Sequence, residues 1–353
     1  MSMKFYGIAA SAMIAAAASP AGAETYDFRI GAGHPTGALW VGTIKDFFMP
    51  EVAKRVQEAT GDTITWTEGF GGTVCKLGEC LEAVESGLLD FADIEAAFEP
   101  SKLMASNFSY FVPFGAGDPV MAQKAAAEVY ETMPELAGVL SDNYNQVYLG
   151  AGVVASYGLV TTFEWDTVDQ LHGHKIAAAG PNLAWLDSTG VTGVQSTLAE
   201  AYTSFQTGVY EGWVMFADGV ISFKLNEVTK QYVDMHFGSV HTPLLTMNKD
   251  TFDGLPEDIQ KIIVEVGREW GARTAQVIAD KQAASVETLK ATLRVVEPDD
   301  ATRKVWADSL PNIPKIRAQE IDAAGQPGEA VYRYIEALKA AGHNFPRDWS
   351  AER

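Results

Sequence analysis

Apolar and polar residues alternate from Tyr26 to Ile30, and the run breaks at Gly31-Ala32-Gly33-His34-Pro35. That is the pattern of a strand followed by a loop. Leu39 to Ala59 carries apolar residues at helical spacing and stops near Gly61. The β-branched run Thr63–Trp66 predicts a strand, and Gly69, Gly71 and Gly72 the loop after it. Glu79–Ser86 reads as a short helix closed by Gly87, and Phe91–Ile94 as a short strand. Strands alternating with helices predict an α/β lobe with a largely parallel sheet.

A second unit of the same kind starts near Val147. Val147–Val154 and Leu159–Thr162 have strand character, and a turn at 169–173 leads into a strand over Lys175–Ala178. Leu198–Gln206 is helical and ends at Gly208; Val214–Ala217 and Leu244–Met247 are further strand segments. From Pro256 the pattern stays helical to about Ala291, about 36 residues or roughly 54 Å. One lobe would not bury so long a helix, so it is expected to run along both, with a bend near Gly267 or Gly271. Helical patterns return over Ala301–Ser309 and Gly328–Ala341. The expected division is one lobe over 24–150 and about 242–260, a second over 151–241, the long helix over 256–291, and a C-terminal helical segment over 292–353.

Composition narrows the function. The chain has 353 residues, enough for about two domains, and 26 Lys+Arg against 46 Asp+Glu give a net charge of −20. A nucleic-acid partner is not expected, since phosphate neutralisation needs a basic face. Lys4 is the only charge in the first 23 residues; an Ala-rich apolar run follows it, then Pro20 and Ala21-Gly22-Ala23. This is the layout of a secretory signal peptide cleaved after Ala23, which places the mature chain outside the cytoplasm.

Motifs for catalysis are missing. Gly31-x-Gly33-x-x-x-Gly37 lacks the dinucleotide-binding spacing, and there is no G-x-S-x-G, H-E-x-x-H or G-K-[ST]. No cofactor or metal is expected; His172-Gly173-His174 reads as a solvated turn rather than a ligand pair. Cys75 and Cys80 flank Gly78, where a turn would bring them within bonding distance. A disulfide is the expectation, and two buried thiols the alternative.

Several segments, in order, resemble one family: Thr60-Gly61-Asp62-Thr63-Ile64, Leu81-Glu82-Ala83-Val84-Glu85-Ser86-Gly87, Val112-Pro113-Phe114, Gly173-His174-Lys175-Ile176, Glu200-Ala201-Tyr202 with Gln206-Thr207-Gly208, Lys224-Leu225-Asn226-Glu227-Val228, and Met247-Asn248 with Leu255-Pro256. The chain resembles the extracytoplasmic solute-binding subunits of tripartite ATP-independent periplasmic (TRAP) transporters, of the dicarboxylate-receptor (DctP) type. The resemblance implies two α/β lobes, a hinge, a helix bracing both, and a solute held in the cleft. It also implies membrane permease subunits as partners and no catalysis; a monomer is expected.

The departures from the family pattern are specific. The strand after the G-x-K motif usually continues K-I-R, and that Arg clamps a ligand carboxylate. Here the position is Ala177. A second basic pocket position falls on Tyr157, a polar one on Met215, and an aromatic one on Leu198, while the acidic residue after the Asp90–Ile94 strand is kept as Glu95. Phe98, Trp185 and Trp213 are aromatic wall candidates, and His34 in the first loop is a further binding candidate. A pocket without its positive clamp but with a carboxylate suits an amine, a quaternary ammonium or a polar neutral compound. The alternatives are an organic acid held by another clamp, with Arg29 on the first strand the only Arg of the early lobe besides Arg55, and, further off, a periplasmic enzyme. N-terminal sequencing of the secreted protein is expected to begin at Glu24; a start at Met1 would contradict the secretory reading.

Overall fold

The computed structural model describes residues 1, 3, 23–351 and 353. Apart from Met1, Met3 and Ala23, the expected signal peptide therefore lies outside the described residues. Among the described residues eleven strands form two sheets. The first contains β1 (Thr25–Ala32), β2 (Thr63–Gly69), β3 (Phe91–Glu95), β4 (Gln146–Ala151) and, late in the chain, β10 (Pro243–Asn248), in the order β2-β1-β3-β10-β4. The second contains β5 (Tyr157–Thr161), β6 (Lys175–Ala178), β7 (Thr192–Gln195), β8 (Gly212–Phe216), β9 (Gln231–Val233) and β11 (Arg294–Val296), in the order β11-β9-β5-β8-β6-β7.

Each sheet is parallel except for one strand: β10 runs antiparallel to β3 and β4, and β5 antiparallel to β8 and β9. The reason is connectivity. The chain leaves the first sheet at the carboxyl end of β4 and enters the second at β5; it leaves the second at the carboxyl end of β9 and re-enters the first at β10. A strand entered from the seam must run away from it, whereas its neighbours run toward it. The carboxyl ends of the parallel strands therefore converge on the seam, where open α/β sheets bind ligands.

The helix Glu257–Leu289 is continuous and packs on β4 of the first lobe and on the helix Ala217–Ser222 of the second. Its buried residues Ile259, Ile263, Val266, Trp270, Thr274 and Ile278 recur at three- and four-residue intervals, one apolar stripe. Gly267 and Gly271 serve a close approach to the first sheet, and the helix assignment runs unbroken through both. A Cβ on Gly271 would stand 2.4 Å from the Ala151 carbonyl oxygen, and one on Gly150 would stand 2.2 Å from that of Gly267.

Three local features differ from the pattern-based expectation. Leu39–Thr60 is helical but carries a π turn at Ile44–Phe48 just before Pro50, whose missing N–H interrupts the α ladder. The region after Phe98 holds the helices Pro119–Thr132 and Pro134–Tyr144, whose periodicity the sequence did not single out. The segment after 292 is not purely helical, because Arg294–Val296 adds a parallel strand to the edge of the second sheet.

Cys75 and Cys80 are bonded, with Cα atoms 5.0 Å apart and Gly78 in the left-handed region between them (φ 77°). The closed loop lies against the loop that follows β1. A Cβ on Gly33 would meet the Leu77 nitrogen at 2.7 Å, and one on Gly78 would come within 3.2 Å of the Phe98 carbonyl oxygen. Gly150→Ala is expected to destabilise the protein by roughly 1–3 kcal/mol in chemical denaturation, because sheet and helix backbones must separate. Gly37→Ala, with open space around the new methyl, is the control. Equal stability of the two variants would contradict the close-packed brace.

Candidate functional site

The seam encloses a cavity between the ends of the two sheets. His34, Trp40, Glu95 and Thr242 line it from the first lobe's loops and strand ends; Tyr157, Trp213, Met215 and Phe216 line it from β5 and β8. Phe98, Tyr110, Ala179 and Leu198 complete much of the wall. Its free volume is about 40 Å³, room for about three water molecules. Admitting a solute of several heavy atoms therefore requires the lobes to part or the walls to shift. A larger groove of about 420 Å³ lies elsewhere, beside Phe114, His236, Arg303, Lys304 and His343. Its charged groups are already engaged, Arg303 with Asp300 and Lys304 with Asp308. The seam is the stronger candidate because buried polar groups converge there.

Register explains how Glu95 arrives. β3 pairs with β1 through Ile30–Phe91 and with β10 through Pro243–Glu95, so Glu95 is the last residue of a central strand. It is 6% exposed. Thr242 Oγ1 donates to Glu95 Oε2 at 3.2 Å, and His34 Nε2 stands 3.9 Å from Oε1. Burial pushes the Glu95 carboxyl up to about 7 and the His34 imidazole down to about 4. His34 is thus neutral across the physiological range. Asp93, two residues earlier on the same face of β3, is 1% exposed, and burial together with the charge of Glu95 raises its pKa well above the ordinary carboxyl range.

Aromatic rings from both lobes meet around this carboxyl group. Trp40 packs edge-on to His34, with ring centres 5.3 Å apart, and to Phe216 across the seam at 6.3 Å. Tyr157 packs edge-on to Phe216 at 5.2 Å, and its hydroxyl hydrogen-bonds that of Tyr110 at 2.9 Å. The Trp270 indole of the long helix donates to Thr43 Oγ1 at 3.1 Å and to the Trp40 carbonyl oxygen, so the brace also fixes the helix that presents Trp40.

Of the residues expected from sequence, His34, Glu95, Phe98, Tyr157, Leu198, Trp213 and Met215 line the cavity. Ala177 and Trp185 do not. Ala177 is fully buried within the second sheet, paired with Trp213 and Val194. The wall position on that segment belongs to Ala179, two residues on and equally uncharged. Trp185 stands behind the wall, its indole donating to the Tyr110 carbonyl oxygen at 2.8 Å and its ring edge-on to Tyr157. Trp40, Tyr110, Phe216 and Thr242 escaped the sequence reading. Phe216, in alternation with Val214 at the end of a strand, carried the one available signal. Among the described residues no Lys or Arg lines the cavity. Arg29 is held by a bidentate pair with Asp90, and Arg55 by one with Glu269, so neither supplies the missing clamp. The His172–His174 turn sits apart, with His174 Nδ1 3.0 Å from Glu211, and no cluster of three metal-ligating side chains occurs among the described residues.

Two sheets joined by crossing segments, with a lined cavity in the seam and a helix bracing both, define a two-lobed solute-binding protein. The chain belongs to the bacterial extracellular solute-binding proteins of family 7, the DctP family, whose model matches residues 45–318. It is 27% identical over 315 residues to a solute-binding protein of Albidiferax ferrireducens, covering 86% of this chain and 88% of that one. Solved TRAP solute-binding proteins share the fold. One is a marine metagenome protein specific for pyroglutamate (TM-score 0.74, 19% identity, 90% of this chain and 99% of that one). Another is a Bordetella bronchiseptica protein with bound mandelate (TM-score 0.75, 20% identity, 89% and 99%). A third is a Sulfitobacter protein with bound β-D-galacturonate (TM-score 0.69, 20% identity, 86% and 99%).

The raised Glu95 pKa has a stability consequence with a definite sign. Between the ordinary value of 4.5 and about 7 the folded state keeps a proton that the unfolded state has lost. This contribution to stability therefore falls as pH rises through that window. His34, with a lowered pKa, contributes in the opposite direction between about 4 and 6.5, so the comparison must be with a variant. Ligand-free Glu95→Gln is expected to gain about 2–6 °C in Tm over the unsubstituted protein at pH 8 relative to pH 5. An equal difference at both pH values would show that Glu95 titrates as an ordinary surface carboxylate.

Proposed function

We propose that this chain is the periplasmic solute receptor of a TRAP transporter, released by removal of residues 1–23, working as a monomer and passing its solute to the membrane subunits without chemical turnover. Membership of an extracellular solute-binding family supports the receptor class. Among the described residues no helix is long and apolar enough to cross a membrane.

The proposed ligand is a small solute bearing an ammonium or quaternary ammonium group, or a polar neutral compound. One observation carries this reading: the cavity holds a buried carboxyl group, Glu95, within aromatic walls and is lined by no Lys or Arg. Ring faces attract cations, and a carboxylate in a low-dielectric seam favours a positive partner over a negative one. The solute's positive charge would also favour the ionised form of Glu95.

A second reading is favoured by the acids bound to the similar solved proteins, pyroglutamate, mandelate and galacturonate. Here an organic acid would accept hydrogen bonds from a protonated Glu95 and from the Tyr110, Tyr157 or Thr242 hydroxyl groups. A thermal-shift screen of amines, acids and sugars supplies the ligand, since a solute bound only by the folded state raises Tm. Calorimetric titration of the unsubstituted and Glu95→Gln proteins then separates the readings. A cation should lose roughly 2–5 kcal/mol of binding and a neutral solute roughly 1–3 kcal/mol. Unchanged or tighter binding by Glu95→Gln would overturn the cation reading in favour of an acid.

A further inference from the structure

Asp93 has no role in the site as described so far, yet it is the most deeply buried carboxyl group beside it. Both of its oxygens, and Glu95 Oε1, are buried without a donor when the two groups are written as carboxylates. Alternation along β3 puts both side chains on one face of the sheet, and both are buried. Two carboxylates side by side in a low-dielectric interior repel, and with no cation between them one must carry a proton. Other groups near the pair supply no cation. His34 is buried and neutral, and its Nε2 is 3.9 Å from Glu95. Thr242 donates to the other Glu95 oxygen. The Trp40 indole N–H lies near both carboxyl groups without a well-aligned hydrogen bond. The Tyr110 and Tyr157 phenols, whose pKa values are raised by burial and to a lesser extent by the charge of Glu95, remain protonated.

We infer that Asp93 is a neutral hydrogen-bond donor held behind Glu95, so that the pair keeps one proton and presents a single negative charge to the cavity. Asp93 is then a positioning and specificity-determining residue. Its O–H orients Glu95 and favours the ionised form of that group over a second protonation. A seam with one negative charge neutralises a singly charged ammonium and leaves a dication or a divalent metal ion with excess positive charge in a low-dielectric space. This consequence for the ligand rests on the cation reading above; the protonation of Asp93 does not.

The test needs no ligand, so its failure is distinguishable from failure of the cation reading. Infrared spectra of the purified receptor at pH 7.5, minus those of Asp93→Asn, are expected to show one protonated side-chain carboxyl absorption that shifts in D2O. Absence of that band would mean that Asp93 is ionised, which overturns the inference. A second measurement follows the Glu95 carboxyl by ¹³C NMR, assigned through its loss in Glu95→Gln. Asp93→Leu removes a neutral donor, so the Glu95 titration is expected to move to higher pH, by about tenfold in proton affinity. Asp93→Asn still donates an N–H and is expected to leave the Glu95 midpoint near its original position. A midpoint that stays put or moves down in Asp93→Leu would overturn the inference, because loss of an ionised neighbour lowers a carboxyl pKa. If Asp93→Leu does not fold, the infrared difference and the Asp93→Asn midpoint still decide.

Discussion

Carboxyl groups buried at a seam between two lobes, with no Lys or Arg among the described residues to meet them, set the terms for the rest of the site. Glu95 reaches the seam because β3 lies between β1 and β10 and ends there. Removing its charge from water is costly unless a proton, a hydrogen-bond donor or a ligand compensates. The protein supplies a partial answer in Thr242, which donates to one Glu95 oxygen. Arg29 and Arg55, the arginines nearest in sequence, are committed to Asp90, Glu51 and Glu269. What remains is an acceptor facing aromatic rings.

The architecture holds that chemistry in place from outside. Because β5 and β10 each enter a sheet from the seam, both crossings start or end beside the cavity. The long helix packs on both lobes at one side. Its glycines let it sit almost backbone to backbone on β4, while Trp270 and Thr274 hydrogen-bond the helix that carries Trp40. On the other side, the Cys75–Cys80 loop backs Gly33 and so steadies the turn bearing His34. Scaffold and recognition elements thus share residues.

Much of this was legible in the sequence, and the reasons differ by element. Strands with glycine-rich ends, such as β1 and β6, and the helix opening at Pro256 carry strong local signals, and the structure places them within a few residues of expectation. The short β11 has almost no local signal, since it forms only because β9 offers an edge. Glu95, Tyr157, Trp213 and Met215 were readable because they fall at strand ends within a recognisable order of motifs. Trp185 and Ala177 were placed on the wall because residue type and spacing do not reveal which side of a packed layer a side chain takes. Trp40 and Tyr110 were invisible as site residues, because an aromatic residue in an apolar stretch has the same pattern whether it fills a core or faces a cavity. Asp93 left a trace: an acid inside the apolar run Phe91-Ala92-Asp93-Ile94, two residues from Glu95.

The proposed ligand brings a positively charged or polar neutral group to Glu95 rather than a carboxylate to a basic clamp. A crystal structure of the secreted protein with its co-purified or screened solute is the direct test. The solute is expected to be enclosed in the seam, with a nitrogen or hydroxyl within hydrogen-bonding reach of Glu95 and its body against Trp40, Tyr157, Trp213 and Phe216. A solute whose carboxylate is gripped by an Arg or Lys, or one bound away from the seam with Glu95 uninvolved, would contradict it.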